Sequence, residues 1–159
     1  MSLMPEHSFS HFDAQGNATM VGVGHKPLMR RIACAEGFLR CQPGTIIALK
    51  DHALPKGDAL VVAKIAGIQA AKRTSDAIPL CHTLPLARVE LEFHVLEDRI
   101  QVISTVETTA ATGVEMEALS AVSTAALTLY DMCKAVDKSM RISGITLVSK
   151  TKEPFTSAE

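Results

Sequence analysis

Apolar and polar positions alternate along RVELEFHVLEDRIQVISTVETT, residues 88–109, with one interruption at Glu97-Asp98-Arg99. Period-two alternation marks a half-buried strand, and a short polar break between two such runs predicts a hairpin. Val89, Leu91, Phe93 and Ile100 should face a core, with Arg88, Glu90, Glu92 and His94 on the opposite face. Residues 30–41 alternate in the same way. Ile32, Cys34, Glu36, Phe38 and Arg40 share one face, and Arg31, Ala33, Ala35, Leu39 and Cys41 share the other. MRISGITLVSK, residues 140–150, reads as a fourth strand.

The intervening stretches have other patterns. After Pro43-Gly44, TIIALKDHAL predicts a short helix starting at a Thr45 cap, and LPKGD then breaks it into an exposed loop. From Asp58, DALVVAKIAGIQAAKRTSDAIP predicts a helix capped by Asp58 and stopped before Pro79. The prolines of PLCHTLPL force a non-helical segment around Cys81-His82. Gly113 to Lys138 predicts one long amphipathic helix, with Glu115 and Glu117 in its first turn and Asp131 and Lys134 near its end. At about 1.5 Å of rise per residue, Glu115 and Asp131 stand about 24 Å apart on one rod. A single copy cannot aim both clusters at one small substrate. Either they have separate jobs, or a site is assembled from two subunits.

Strand, helix, helix, hairpin, long helix and strand in that order predict an α+β sandwich of ferredoxin-like type: a four-stranded antiparallel sheet with helices on one face. Residues 1–19 are polar and aperiodic and read as a mobile arm, 20–150 as one domain and 151–159 as a polar tail. His7 and His11 have a metal-binding spacing only if helical, and Pro5 with its neighbouring serines argues for a solvated arm instead.

Composition narrows the class. The chain has 159 residues, enough for one domain with a real core, and its 4% aromatic content predicts a core of Ala, Val, Ile, Leu and Met. Sixteen basic and 17 acidic side chains nearly cancel, which argues against a bulk nucleic-acid or anionic-membrane binder. Cys34, Cys41, Cys81 and Cys133 form no C-x-x-C pair and no zinc-type spacing, as expected of reduced thiols in a cytoplasmic protein. There is no basic segment leading into an apolar one at the N-terminus, and no apolar run approaches the roughly 20 residues of a membrane span.

Several side chains have the right chemistry for a site. Lys56, beside a glycine in a proline-bounded loop, is either a surface lysine or a cation free to reach a phosphate. Lys72 and Arg73 close a helix, where they complement its dipole or form an anion clamp. His82 in a rigid bend is an acid–base candidate, while zinc is disfavoured because adjacent Cys81 points away from it. Glu115 and Glu117 suit a helix start, and Asp131 with Lys134 suits a helix ion pair. Both pairs flank apolar helix surface, where partial burial would move their pKa values. No Walker loop, G-x-G-x-x-G or G-x-S-x-G is present, so bound phosphates would be held by side-chain cations.

Four segments then converge on a family: KGD (Lys56–Asp58), AGIQAAKRTSDAIPLCH (Ala66–His82), TGVEMEALSAVSTAAL (Thr112–Leu127) and YDMCKAV (Tyr130–Val136). They closely resemble the cyclic pyranopterin monophosphate synthases of molybdenum cofactor biosynthesis, over about Met20 to Lys150. The resemblance implies a lyase that rearranges 3′,8-cyclo-7,8-dihydroguanosine 5′-triphosphate to cyclic pyranopterin monophosphate with release of pyrophosphate. It also implies a ferredoxin-like fold and a homohexamer, a trimer of dimers, with active sites between subunits. Asp131, Lys134 and Lys56 match the family's catalytic positions. Leu80, Cys81 and His82 fall on one substrate-binding segment and Met116 with Glu117 on another, with Glu115, Lys72, Arg73 and Arg31 as pocket neighbours. Magnesium could accompany the triphosphate or pyrophosphate, although no carboxylate cluster in the sequence demands it.

The chain departs from the family pattern twice. Gly22 replaces an aspartate in Met20-Val21-Gly22-Val23, and Thr83 replaces the proline that usually follows the L-C-H of the loop. A non-catalytic oligomeric nucleotide-binding module would need the cationic pocket but not Asp131 and Lys134 together, and a purely structural oligomer would need neither.

Overall fold

A computed structural model describes residues 15–154; His7, His11 and most of the expected arm lie outside the described residues. Four strands form one antiparallel sheet: β1 (Met29–Arg40), β2 (Leu86–Val95), β3 (Arg99–Ala110) and β4 (Arg141–Pro154). Their spatial order is β2-β3-β1-β4. Two helices, α2 (Ala59–Lys72) and α4 (Glu115–Cys133), provide the crossovers β1 to β2 and β3 to β4. This is the βαββαβ connectivity of the ferredoxin-like fold, with α1 (Pro43–Lys50) and α3 (Thr74–Ala77) as short additions.

The alternation seen in the sequence is the burial pattern of the sheet. Ala33, Ala35 and Leu39 of β1, Leu91 of β2, and Ile100, Val102 and Val106 of β3 are buried on the inner face. Arg88, Glu90, Glu92 and His94 are exposed on the outer face, as expected for strands with one face solvated. The hairpin closes with the Leu96 N–H donating to the Arg99 carbonyl at 2.9 Å.

Both long helices lie on the inner face, α4 over β1, β3 and β4 and α2 over β2, and they pack against each other. Every buried residue of α2 is small (Ala59, Ala63, Gly67 and Ala71), and α4 buries Ala118, Ala121, Ala125 and Ala126 among larger residues such as Val122 and Leu129. At Gly67 the close approach leaves no room for a side chain. A Cβ there would stand 2.5 Å from Leu91 Cδ2 and 2.9 Å from the Ala121 carbonyl oxygen.

Four sequence expectations are corrected. Helix α1 starts at Pro43 after an N-cap at Gln42, so Thr45 lies inside it. The Thr45 hydroxyl donates to buried Asp137 at 3.1 Å, and the same carboxylate accepts the Gln42 N–H at 2.8 Å and both the Ser139 N–H and hydroxyl. A carboxylate distant in sequence therefore takes the place of a local cap. The helix from Asp58 does not run on to Pro79: it breaks at Arg73 (φ −116°) and resumes as α3. Asp58 itself caps as expected, accepting the N–H groups of Leu60 and Val61 at 3.1 Å. Helix α4 stops at Cys133, short of Lys138, because the next residues turn to place Asp137 at the start of α1. Finally, β4 passes the expected boundary at Thr151, since β1 offers it partners as far as Met29, opposite Pro154.

Gly67→Ala should destabilise the fold by about 1–3 kcal/mol, the usual cost of overpacking a tight core. Urea unfolding would show this as a lower midpoint at unchanged slope; wild-type stability would mean that the helices have slack where they cross.

Candidate active site

Helix α4 arrives at the edge of the domain with Asp131 in its last turn, and the antiparallel α2 begins beside it. The loop before α2, turned by Gly57 at φ +89°, delivers Lys56 to the same point. Lys56 Nζ lies 2.6 Å from Asp131 Oδ2 and also donates to the Asp131 carbonyl at 3.1 Å. Lys134 Nζ lies 2.6 Å from Asp131 Oδ1. One carboxylate is thus held between two ammonium groups, each about half exposed. Hydrogen bonding from Lys134, then from Lys56, holds the Asp131 carboxyl down at about 2, and the Asp131 carboxylate raises the Lys134 ammonium. At neutral pH the trio is an anion flanked by two cations, with net positive charge facing solvent.

A second group assembles at the other end of α4. Val21, Val23, Lys26, Leu80, Cys81, His82, Glu115, Met116, Glu117 and Lys150 line a cavity of about 540 Å³. Lys150 Nζ of β4 pairs with Glu115 Oε1 at 3.0 Å. Glu117 is only 4% exposed, and burial, reinforced by the Glu115 charge, raises its pKa against the effect of its own backbone N–H. Burial, and then Glu117, raises the Cys81 thiol, so that sulfur is a neutral group rather than a nucleophile at pH 7. The His82 ring is anchored across the cavity, with Nε2 2.8 Å from the Val21 carbonyl.

The remaining sequence candidates scatter. Arg31 sits beside Glu115 and Lys150 in an adjoining cavity of about 360 Å³. Its Nε and one terminal nitrogen donate to the carbonyls of Ala110 and Ala111 at 3.1 and 3.0 Å, which leaves less of its fork for an anion than the sequence suggests. Arg73 lines a groove with Met116, Ser120 and Thr124, whereas Lys72 is exposed at the end of α2 and lines none of these three cavities. Three cations were not singled out from sequence: Lys26, Lys150 and Lys152. Lys150 and Lys152 stand two apart on β4 and so share a face, but only their pairing opposite β1 brings them to Arg31 and Glu115. Among the described residues no three His, Cys, Asp or Glu side chains converge as metal ligands, and no helix is long and apolar enough to cross a membrane.

Fold and grouping together define a ferredoxin-like α+β protein with charged sites at the two ends of its long helix. The chain belongs to the MoaC family, which it matches over residues 20–153. It is 51% identical to a cyclic pyranopterin monophosphate synthase of Clostridium botulinum over 92% of this chain and 93% of that protein. A synthase of the same name from Herpetosiphon aurantiacus is 54% identical, over 89% of this chain and 88% of the relative. A molybdenum cofactor biosynthesis bifunctional protein of Chlorobaculum tepidum is also 54% identical, over 95% of this chain but 48% of its own length. The chain therefore spans about half of that bifunctional relative and most of the two synthases.

Two titrations check these electrostatics. Asp131 has a folded pKa below its unfolded value, so its ion pairs are intact above the ordinary aspartate range and are lost as pH falls towards about 2. Carboxyl carbon NMR should place its midpoint there and show it rising in Lys134→Met; an ordinary midpoint in both proteins would mean the pairs do not form in solution. Glu117 has the opposite sign. Its cost is absent below the ordinary glutamate value, where both states are protonated, and grows as pH rises through its raised folded pKa. Glu117→Gln should therefore gain stability relative to wild type as pH rises from 4 to 8, and a pH-independent difference would rule out this burial cost.

Proposed function

We propose that this protein is a lyase that converts 3′,8-cyclo-7,8-dihydroguanosine 5′-triphosphate to cyclic pyranopterin monophosphate and pyrophosphate, a step of molybdenum cofactor biosynthesis. The observation that carries the reading is the Lys56–Asp131–Lys134 grouping, at 2.6 Å on each side, in a chain that belongs to the MoaC family. The synthase names of relatives at 51% and 54% identity support it.

The residue chemistry suits the steps. Expelling pyrophosphate while a cyclic phosphate forms concentrates negative charge, which Lys56 and Lys134 would offset. Opening the guanine-derived ring and building the pyranopterin require repeated proton transfers, to which Asp131, Lys134 and His82 contribute. Glu117 and Met116 bound the pterin-forming end, and Lys26, Lys150, Arg73 and Arg31 supply cationic character near it. Magnesium, if it takes part, enters with the triphosphate or leaves with pyrophosphate.

The working site spans two subunits. Its two halves lie about 24 Å apart on the rigid α4, too far to meet on one molecule of the substrate's size. A second copy that presents its α4 end to the Glu117 cavity closes that gap. Val61, Val62 and Ile65 on α2 and Ile145 and Val148 on β4 leave apolar surface exposed on the single chain, as subunit packing would require. A homohexamer built as a trimer of dimers follows from the family resemblance.

Incubation with the cyclised guanosine triphosphate should give a cyclic pyranopterin by mass spectrometry, with pyrophosphate released in step. Lys134→Ala should give none, and Asp131→Asn should bind substrate without converting it. Intact substrate bound tightly by the wild-type oligomer would make the protein a binding module instead. Glu117→Ala and Asp131→Ala proteins, each inactive, should regain part of the activity when dissociated and reassembled together. Verified mixed oligomers without activity would mean one-chain sites.

A further inference from the structure

The segment ahead of β1 forms part of the wall of the Glu117 cavity. Val21, Val23 and Lys26 line it, and the segment is folded on itself by the Lys26 N–H donating to the Val23 carbonyl at 3.0 Å. Among the described residues it is tied to the far wall by the hydrogen bond between the Val21 carbonyl and His82 Nε2, at 2.8 Å. His82 is otherwise held by the chain on either side of it, where the Cys81 N–H donates to Ile78 and the Thr83 hydroxyl to Ser75 Oγ at 3.1 Å.

A carbonyl oxygen only accepts, so His82 Nε2 must carry the hydrogen. In the neutral ring the lone pair then resides on Nδ1. We propose that residues 20–26 act as a positioning strap: the Val21 carbonyl occupies Nε2 of His82, fixes the plane of the ring, and leaves Nδ1 as the atom through which His82 exchanges protons with the substrate. The inference rests on the lyase reading above and deepens it. The proton balance is simple. Nδ1 takes a proton from the substrate to give an imidazolium, and the Nε2–H···O contact becomes charge-assisted and stronger. The same proton returns to a later intermediate, so the ring ends the turnover as it began. The strap is thus gripped hardest while the ring is charged, which keeps this part of the cavity wall in place between the two transfers.

The departures from the family pattern bear on this contact from both sides. Gly22 follows the carbonyl that accepts the bond, and Thr83 follows the histidine that donates it. A Cβ at Gly22 would meet nothing within 4 Å, so the position accepts a side chain without disturbing the strap. The hydroxyl of Thr83 bonds to Ser75, which tethers the loop after His82.

Two substitutions of His82 separate its two nitrogens. The amide of a glutamine reaches the place of Nε2 and donates to Val21, but supplies nothing at Nδ1. The shorter amide of an asparagine reaches only the place of Nδ1. Hydrogen exchange of the Lys26 amide reports on the strap without reference to catalysis, and single-turnover pyrophosphate release reports on proton transfer. His82→Gln should keep wild-type exchange and slow turnover by about 100-fold or more. His82→Asn should speed exchange by about tenfold, the worth of one lost hydrogen bond, and be slow as well. Wild-type turnover in His82→Gln would overturn the assignment of Nδ1, and wild-type exchange in His82→Asn would overturn the strap. Should the wild-type protein itself fail to convert substrate, the lyase reading falls while the exchange result still judges the strap.

Discussion

The arrangement of this protein depends on how closely α2 can approach α4. The buried residues of α2 are Ala59, Ala63, Gly67 and Ala71, and Gly67 lies directly against Ala121 and Ala125 of α4. At Gly67 even a methyl group would strike Leu91 and the Ala121 carbonyl. Because the helices run antiparallel, this contact also sets where the start of α2 falls along α4. It is the reason that Lys56, in the loop before α2, arrives beside Asp131 in the last turn of α4. Exposed ion pairs hold little free energy of their own. The arrival of Lys56 at the local Asp131–Lys134 pair is therefore a consequence of helix packing, and the 2.6 Å contacts record where the backbone already put the charges.

The two ends of α4 are prepared in opposite ways. At the C-terminal end the carboxylate is open to water and flanked by cations, which hold it ionised to about 2. At the N-terminal end Glu117 is buried and its pKa raised, so it can carry a proton at a higher pH than an ordinary glutamate. One end presents an exposed anion between two cations, the other a buried carboxyl on the wall of a cavity. A rigid helix keeps these environments apart within one chain.

Buried polar groups connect the periphery to this frame. Asp137 accepts four hydrogen bonds from Gln42, Thr45 and Ser139, tying the turn after α4 to the start of α1. Burial pushes the Cys41 thiol up to about 12 and raises that of Cys133 beside it, so the sulfurs near this junction are neutral packing groups. The turn that follows Lys134 is therefore anchored by groups that stay in one protonation state across the neutral range. Asp137, held below the ordinary aspartate value by these donors against the cost of its burial, remains the anion they require.

Much of the fold was legible before any coordinates because its signals are local. Alternation in residues 30–41 and 88–109 set the strands and, for 88–109, the buried face; Asp58 marked a helix start, and Pro79 with Pro85 marked the loop that carries His82. The chemistry of Asp131, Lys134 and Lys56 was legible as residue types within recognisable segments. What the sequence could not show depends on contacts between distant residues. Thr45 looked like a cap until Asp137, 92 residues away, proved to be its partner. Thr151 to Pro154 looked like a tail because only the free edge of β1 makes them a strand. Lys26 and Lys150 carry no local mark at all, and Arg31 looked freer than its bonds to Ala110 and Ala111 allow. Local pattern determined which elements form and which face each buries. The Asp131–Lys134 pair follows from its i,i+3 spacing, but tertiary packing alone decided which distant charges meet, because a bridge such as Lys56–Asp131 or a cavity wall is a property of two segments brought together and neither encodes it alone.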